Sequence, residues 1–379
     1  MRRTRTLIAC TLLALIASHL PLVGSCHAAE GLFKRLLGSQ VQHENDVAIK
    51  IAELPEHYRE VTPPALDFSP DGKLLAVRSA DQTINIWDWQ AGRIVRTVEI
   101  AKGGVDGSTE PLRFSPDGRL LVACHNRGEG DVVARIWKTD TWGILYDIVD
   151  HVPGGCNAIG FTPDGKLLIR VLDRFPEISG DNLVIYDVGT WQPIWGMRTV
   201  PFYTYALAIS PDAKFIAIGG EVINPQYGTS RPSFGNPPSP DTALIAIVDM
   251  AQRAIVRTIQ YSGVMDRVSR IVWSPNGNWL VGAGGEGLQI VDVQWGRPIL
   301  EVKPPLGTAH TSLRYTPDGK YLIEGVFHDK GRGWGKIWDS QHAALLQEIS
   351  GAVGSIAVSR DGRYLATGGY GKTVIWQFK

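Results

Sequence analysis

Phe68-Ser-Pro-Asp-Gly72 reads as the close of one β-strand and a tight reversal into the next. The large apolar residue ends the strand, proline fixes φ, and Asp-Gly supplies the reversal. The phrase returns as Phe114-Ser-Pro-Asp-Gly118, Phe161-Thr-Pro-Asp-Gly165, Ile209-Ser-Pro-Asp-Ala213, Trp273-Ser-Pro-Asn-Gly277, Tyr315-Thr-Pro-Asp-Gly319 and Val358-Ser-Arg-Asp-Gly362. Seven copies make the turn the unit of a repeat, and a repeat of this length fixes the architecture before any single residue does.

Downstream of each copy lies a second apolar run, such as Leu74-Leu-Ala-Val77, Phe215-Ile-Ala-Ile218 or Tyr364-Leu-Ala366. A third strand then ends in an aromatic residue or valine, usually before Asp: Trp87-Asp88, Trp137, Tyr186-Asp187, Val248-Asp249, Val291-Asp292, Trp338-Asp339 and Trp376. A fourth follows in six units, as in Arg93-Ile-Val-Arg-Thr-Val98. Short runs of β-branched and aromatic residues bounded by Gly, Pro and Asp are strand signals, and no useful amphipathic helix interrupts them. An all-β chain is expected.

With Trp-Asp pairs at Trp87-Asp88 and Trp338-Asp339 and a matching period, the units resemble WD-repeat β-propellers. The resemblance covers residues 46–379 and implies seven four-stranded antiparallel blades around a central channel. The Gly-His pair that opens repeats of that family is missing throughout, with His151 at best a remnant. The buried His-Ser-Asp-Trp hydrogen-bond network associated with such repeats is therefore not expected here. The seventh unit holds three strands, ending at Phe378, while Val47-Ala-Ile-Lys-Ile-Ala52 precedes the first unit. An N-terminal strand completing the last blade would join the ends and remove an exposed sheet edge.

The units differ mainly between their second and third strands. Ser69 to Trp87 spans a short first unit, whereas Ser210 to Val248 spans a long fourth. Propeller topology opens these connections on one face, and insertions on one face usually mark the binding face of a repeat protein. The opposite face is expected to carry short turns and little else. The insertions supply the candidate binding residues: Arg127 in unit two, Arg174 and Phe175 in unit three, Tyr227, Arg231 and Phe234 in unit four, and His328, Arg332 and Trp334 in unit six. Arginine and aromatic side chains are the types enriched at interface hot spots.

Gly282-Ala-Gly-Gly-Glu-Gly287 matches a dinucleotide fingerprint, but a strand rather than a helix follows it, so it reads as a hairpin turn. Ala366-Thr-Gly-Gly-Tyr-Gly-Lys-Thr373 imitates a phosphate loop with the same defect. No zinc-protease, serine-hydrolase or paired-cysteine motif occurs. His125, His151 and His328 could approach one another on the loop face as a metal site, with three solvated histidines as the plainer account. Asp131, Asp181 and Asp241, each just before a third strand, read as turn caps.

The N-terminus reads as a targeting segment, with a basic Met1-Arg-Arg-Thr-Arg5 and an apolar Leu7 to Gly24. Cys26-His27-Ala28 offers cleavage after Ala28, giving a signal peptide over 1–28 and a linker over 29–45. Val23-Gly24-Ser25-Cys26 offers instead a lipobox that would lipidate Cys26. An uncleaved membrane anchor is the third reading. Each means export to a periplasm or cell envelope, and with either cleavage contact to a membrane comes only through the lipid. Beyond Cys10 and Cys26 the chain has Cys124 and Cys156, which could pair in an oxidising compartment or be two small buried residues. Lys plus Arg equals Asp plus Glu at 38 each, which gives no general pull toward nucleic acid. The inner strands begin mostly with small or apolar residues, as in Ala65-Leu66, Asn157-Ala-Ile159 and Ser269-Arg-Ile271, which favours binding over catalysis of the lactonase or hydrolase kind; with both glycine-rich phrases read as turns, no cofactor is expected. The expected function is a monomeric, non-catalytic scaffold that binds a protein or peptide partner through its long loops, with a hydrolase or a ligand or metal sensor as the rival.

Overall fold

The seven turns share one hydrogen-bonding plan. In the computed structural model, which describes residues 46–55, 65–79, 82–100, 111–125, 131–151, 155–173, 180–199, 202–222, 243–261, 267–284, 287–302, 308–328, 332–350, 354–369 and 371–379, Ser69 Oγ donates to Asp71 Oδ1 at 2.6 Å. The same carboxylate oxygen accepts the Lys73 N–H, and Ser69 Oγ in turn accepts the Leu74 N–H at 2.9 Å. Ser115, Thr162, Ser210, Thr316 and Ser359 repeat the arrangement, and in the fifth turn Asn276 replaces the aspartate. The closing glycine sits in the left-handed region, at φ 71° in Gly72 and 77° in Gly277. In the fourth turn Ala213 must adopt φ 58°. A Cβ there costs roughly 1–2 kcal/mol, so Ala213→Gly should raise stability by about 1 kcal/mol after the glycine's larger unfolded entropy is discounted. Urea unfolding of the two proteins checks this, and an unchanged or lower midpoint contradicts it.

Each turn returns the chain antiparallel, and the described strands form seven sheets of four. Blade 1 runs over residues 66–99, blade 2 over 112–149, blade 3 over 155–197, blade 4 over 202–261, blade 5 over 270–302 and blade 6 over 308–350. In each of them the strands lie in chain order from the inner edge outward. Blade 7 takes Ser355–Val358, Tyr364–Gly369 and Lys372–Phe378 from the C-terminal end and Ala48–Pro55 from the other. The result is the all-β seven-bladed propeller expected from the repeat, closed by its N-terminal strand.

Burial follows position in the blade. Second strands such as Leu120–Cys124 are almost wholly buried, whereas the outer strand Arg93–Glu99 exposes every residue but Val98. Seven apolar clusters result, and each lies between two neighbouring blades. Ile86 of blade 1 packs with Leu112 and Trp137 of blade 2, and Phe68 and Trp87 of blade 1 pack with Ala366 and Ile375 of blade 7. Among the described residues no apolar cluster is confined to one blade, so the ring depends on its interfaces being made.

The turns also stack around the ring. A Cβ on Gly118, Gly165, Gly277, Gly319 or Gly362 would touch a proline of the preceding blade's turn at 3.4–4.0 Å. In blade 7 the proline is Arg360. Gly72, which follows it in the ring, accordingly has nothing within 4 Å of its Cβ position, and the Arg360 guanidinium instead donates to the Pro116 carbonyl in blade 2 at 2.6 Å.

The closing strand pairs in register from Ala48 opposite Phe378 to Pro55 opposite Lys372, with a bulge between Lys50 and Ala52. Blade 6 clamps it through Gln347, whose side chain accepts the Ala48 N–H and donates to the Ala48 carbonyl, both at 2.9 Å. Tyr321 of blade 6 stacks on Phe378 at 5.3 Å between centroids.

Candidate interaction surface

Antiparallel meanders put the Pro-Asp-Gly turns and the third-to-fourth-strand turns on one face of the disc. The second-to-third connections and the passages between blades leave from the other. Of the binding residues expected there, Arg127, Arg174, Phe175, Tyr227, Arg231 and Phe234 lie outside the described residues, as does Asp241. The rest are corrected in one respect. The insertion in unit six is mostly ladder: Tyr321–His328 pairs with Arg332–Asp339, His328 opposite Arg332 and Trp334 opposite Val326. Both strands are prolonged by this pairing, so Trp334 stands inside the sheet, half-buried. In unit four, Glu221 and Val222 likewise belong to the second strand.

Cys124 closes the second strand of blade 2 and Cys156 stands in the inner strand of blade 3. Their sulfurs are at bonding distance, 2.00 Å, with Cα atoms 5.4 Å apart. Both residues are fully buried. Beside them, His125 is also buried, at 1 % exposure. Desolvation, with the charges of Arg78 and Arg135 adding to it, pushes this imidazole down to about 3. This corrects its reading as a solvated loop histidine. His151 is exposed, with Nδ1 3.0 Å from Asp131 Oδ2. Among the described residues, no three of His, Cys, Asp and Glu are grouped to hold a metal ion.

A base whose folded value is depressed favours the fold above its unfolded value, and that contribution is lost as pH falls below it. For His125 the window opens near pH 6.5. Going from pH 7 to 4.5 should cost about 2–3 kcal/mol at this residue alone. His125→Asn should flatten the urea midpoint between those pH values, and a slope equal to that of the wild type contradicts the assignment. Below pH 4 the turn aspartates add to the loss. Asp164 and Asp212 are held low chiefly by the Thr162 and Ser210 hydroxyls. At Asp71, Asp117, Asp318 and Asp361 partial desolvation raises the carboxyl, but the hydroxyl and backbone donors outweigh it.

Blade 6 buries a polar group of different composition from the His-Ser-Asp-Trp network. The Trp338 indole N–H donates to Glu324 at 3.1 Å, with Lys336 Nζ at 3.6 Å and His310 Nδ1 at 3.8 Å from the same carboxylate. Burial pushes Glu324 up and His310 down to about 4, the latter helped by Lys336. His310 occupies an inner strand and follows Ala309 rather than a glycine. In blade 7, Trp376 donates to Thr367 Oγ1 at 3.0 Å.

Sequence reasoning also missed the polar lining of the channel. On inner strands Leu66–Phe68, Leu112–Phe114 and Thr308–Tyr315, the residues Asp67, Arg113 and Arg314 are half-buried between fully buried neighbours. Alternation on the innermost strand turns these three toward the axis. Arg270, two residues before half-buried Val272, shares that side of its strand. The signal was present at one fixed repeat position, the residue before the strand-ending aromatic.

Comparison with known proteins agrees with the architecture. The WD domain, G-beta repeat profile matches residues 49–88 and 343–377. Each match begins at the outer strand of one blade, within it or at the residue before it, and ends in the third strand of the next, so the sequence repeat is offset from the blade. The chain is 26 % identical over 158 residues to SEC12-like protein 1 of Arabidopsis thaliana, spanning 41 % of this chain and 36 % of that one. It is 31 % identical over 104 residues to an uncharacterized WD repeat-containing protein of Synechocystis, 27 % of each. Protein HIR1 of Kluyveromyces lactis is 23 % identical over 318 residues, 74 % of this chain and 35 % of that one. The chain thus spans about a third of the first and last of these relatives.

Proposed function

We propose that this WD-repeat propeller is an exported, non-catalytic scaffold that binds a protein or peptide partner through the connections between its second and third strands. WD propellers are typically protein-interaction scaffolds without catalytic activity. One observation carries the finer reading. The turn face repeats a single hydrogen-bonded plan seven times, whereas the variation in length leaves from the opposite face of a rigid disc. A rigid frame with diversity on one side is the arrangement in which loops acquire binding roles.

Export is supported by the basic and apolar N-terminal segment and by two cysteines at bonding distance, because such bonds persist in oxidising compartments. The test is deletion of residues 224–240. The variant should fold and be exported with an unchanged melting curve, and affinity capture from the native envelope should lose a protein that the wild type retains. An unchanged set of captured proteins contradicts the loop-face reading. Retention of the chain in the cytoplasm contradicts export.

A further inference from the structure

Among the described residues, the channel side of the inner strands carries Arg113, Arg270 and Arg314 against Asp67, in a chain whose formal charges cancel. Arg113 and Arg314 occupy the same repeat position on blades 2 and 6, and Arg270 stands one step farther along the channel on blade 5. Arg113 donates to the carbonyl of its own neighbour Leu112, and Arg314 to that of Leu313, both at 2.7 Å. Arg270 donates to Ser269 and Thr311 carbonyls at 2.6 Å. Asp67 accepts the Phe114 N–H at 2.7 Å and is the one carboxylate acting on Arg314. Desolvation and repulsion from Arg113 draw Arg270 down to about 10 and Arg314 to about 9. Positive charges held together at a cost in stability are a mark of sites that await an anion.

A cavity adjoins Arg113. About 280 Å³ opens at the turn end of the channel between blades 2, 3 and 4, lined by Arg113 and by apolar Phe114, Ile159, Phe161, Leu207 and Ile209. Gly160 stands where a larger side chain would meet Ile209 and Leu207, and so it keeps the space open. The volume lies below the usual range for enclosing a whole small-molecule ligand, yet it suits one anchoring side chain of a longer segment. The cavity and the arginines therefore point to one chemistry: an apolar anchor beside a carboxylate.

We propose that the turn-face mouth of the channel binds an acidic, apolar peptide segment of a partner, with a leucine-sized side chain in the cavity and the adjacent carboxylate on Arg113 and Arg314. The face expected to be bare then becomes a second binding surface. This site shares no residue with the loop connections, so the two readings stand or fall separately.

The probe is an acetylated, amidated Gly-Leu-Glu-Leu-Glu peptide, labelled for fluorescence anisotropy, with its glutamine counterpart and sodium sulfate as comparators. The purified wild type should bind the acidic peptide at least about thirtyfold more tightly than the glutamine peptide, and Arg113→Met with Arg314→Met should abolish that preference. Sulfate should compete only weakly, since it cannot fill the cavity. Melting curves separate binding from structure. Arg314→Met alone, without anion, should raise Tm by about 2 °C or more by relieving repulsion. Equal affinity for the two peptides, a preference that survives the double substitution, sulfate competing as well as the acidic peptide, or a Tm lowered by Arg314→Met would each overturn the proposal.

Discussion

A chain lacking residues 46–55 is expected to lose the cooperative fold of the whole ring, and not merely the order of one edge. The deletion strips seven paired positions from Lys372–Phe378. It empties the places of Ala48 and Leu54, which are 1 % and 2 % exposed and belong to the interfaces of blade 7 with blades 6 and 1. It also leaves the Gln347 amide without the Ala48 backbone groups that satisfy it. An unsatisfied buried amide costs about 1–3 kcal/mol, and loss of a buried leucine about 2–5 kcal/mol. Together these approach the roughly 5–15 kcal/mol that separates a typical folded domain from its unfolded chain. Because the cores lie between blades, damage to one interface propagates to the next. Circular dichroism with urea unfolding should show a lost or non-cooperative transition. Restoration by a synthetic peptide of residues 46–55 added in trans would identify the strand as the cause. An unaltered midpoint contradicts the mechanism.

Replacing Cys124 and Cys156 by alanine is expected to cost about 3–4 kcal/mol, the loop-closure entropy of a 32-residue separation in the unfolded chain. That interval contains the third and fourth strands of blade 2, so the bond would staple two neighbouring blades across the interface that also holds Trp191 and Leu168. Both sulfurs are inaccessible in the fold, so reductant should act on the native protein only as fast as the ring opens. Urea midpoints of the oxidised wild type, the reduced wild type and the double variant decide the matter. The last two should coincide, well below the first. Three equal midpoints would show that the pair contributes nothing.

The turn carried most of what could be read in advance. Proline, Asp-Gly and a preceding aromatic act through local geometry, so blade number, strand order and the closing strand were all legible from spacing. What failed to show in the sequence depends on neighbours brought together by the ring. His125 looks like any loop histidine until the guanidinium groups of Arg78 and Arg135 and the packing around it are in place. Phe327 to Trp334 reads equally well as an insertion or as a longer hairpin, and only the ladder partners of the second strand select the hairpin. Arg113, Arg270 and Arg314 are separated by most of the repeat region in sequence. Their convergence is a property of the closed channel. Arg360 is the opposite case: the one turn without proline was visible at once, but its reach to Pro116 required the stack of turns around it.

The claim on which the rest depends is a ring closed by the strand at residues 48–55. Native-state hydrogen exchange measures it directly. The paired amides of residues 48–54 and 372–378 should exchange together, only through the global opening that also releases the second strands of the other blades. Rapid exchange at Ala48–Pro55 while Leu120–Cys124 stays protected would contradict closure and, with it, the propeller as a single cooperative frame.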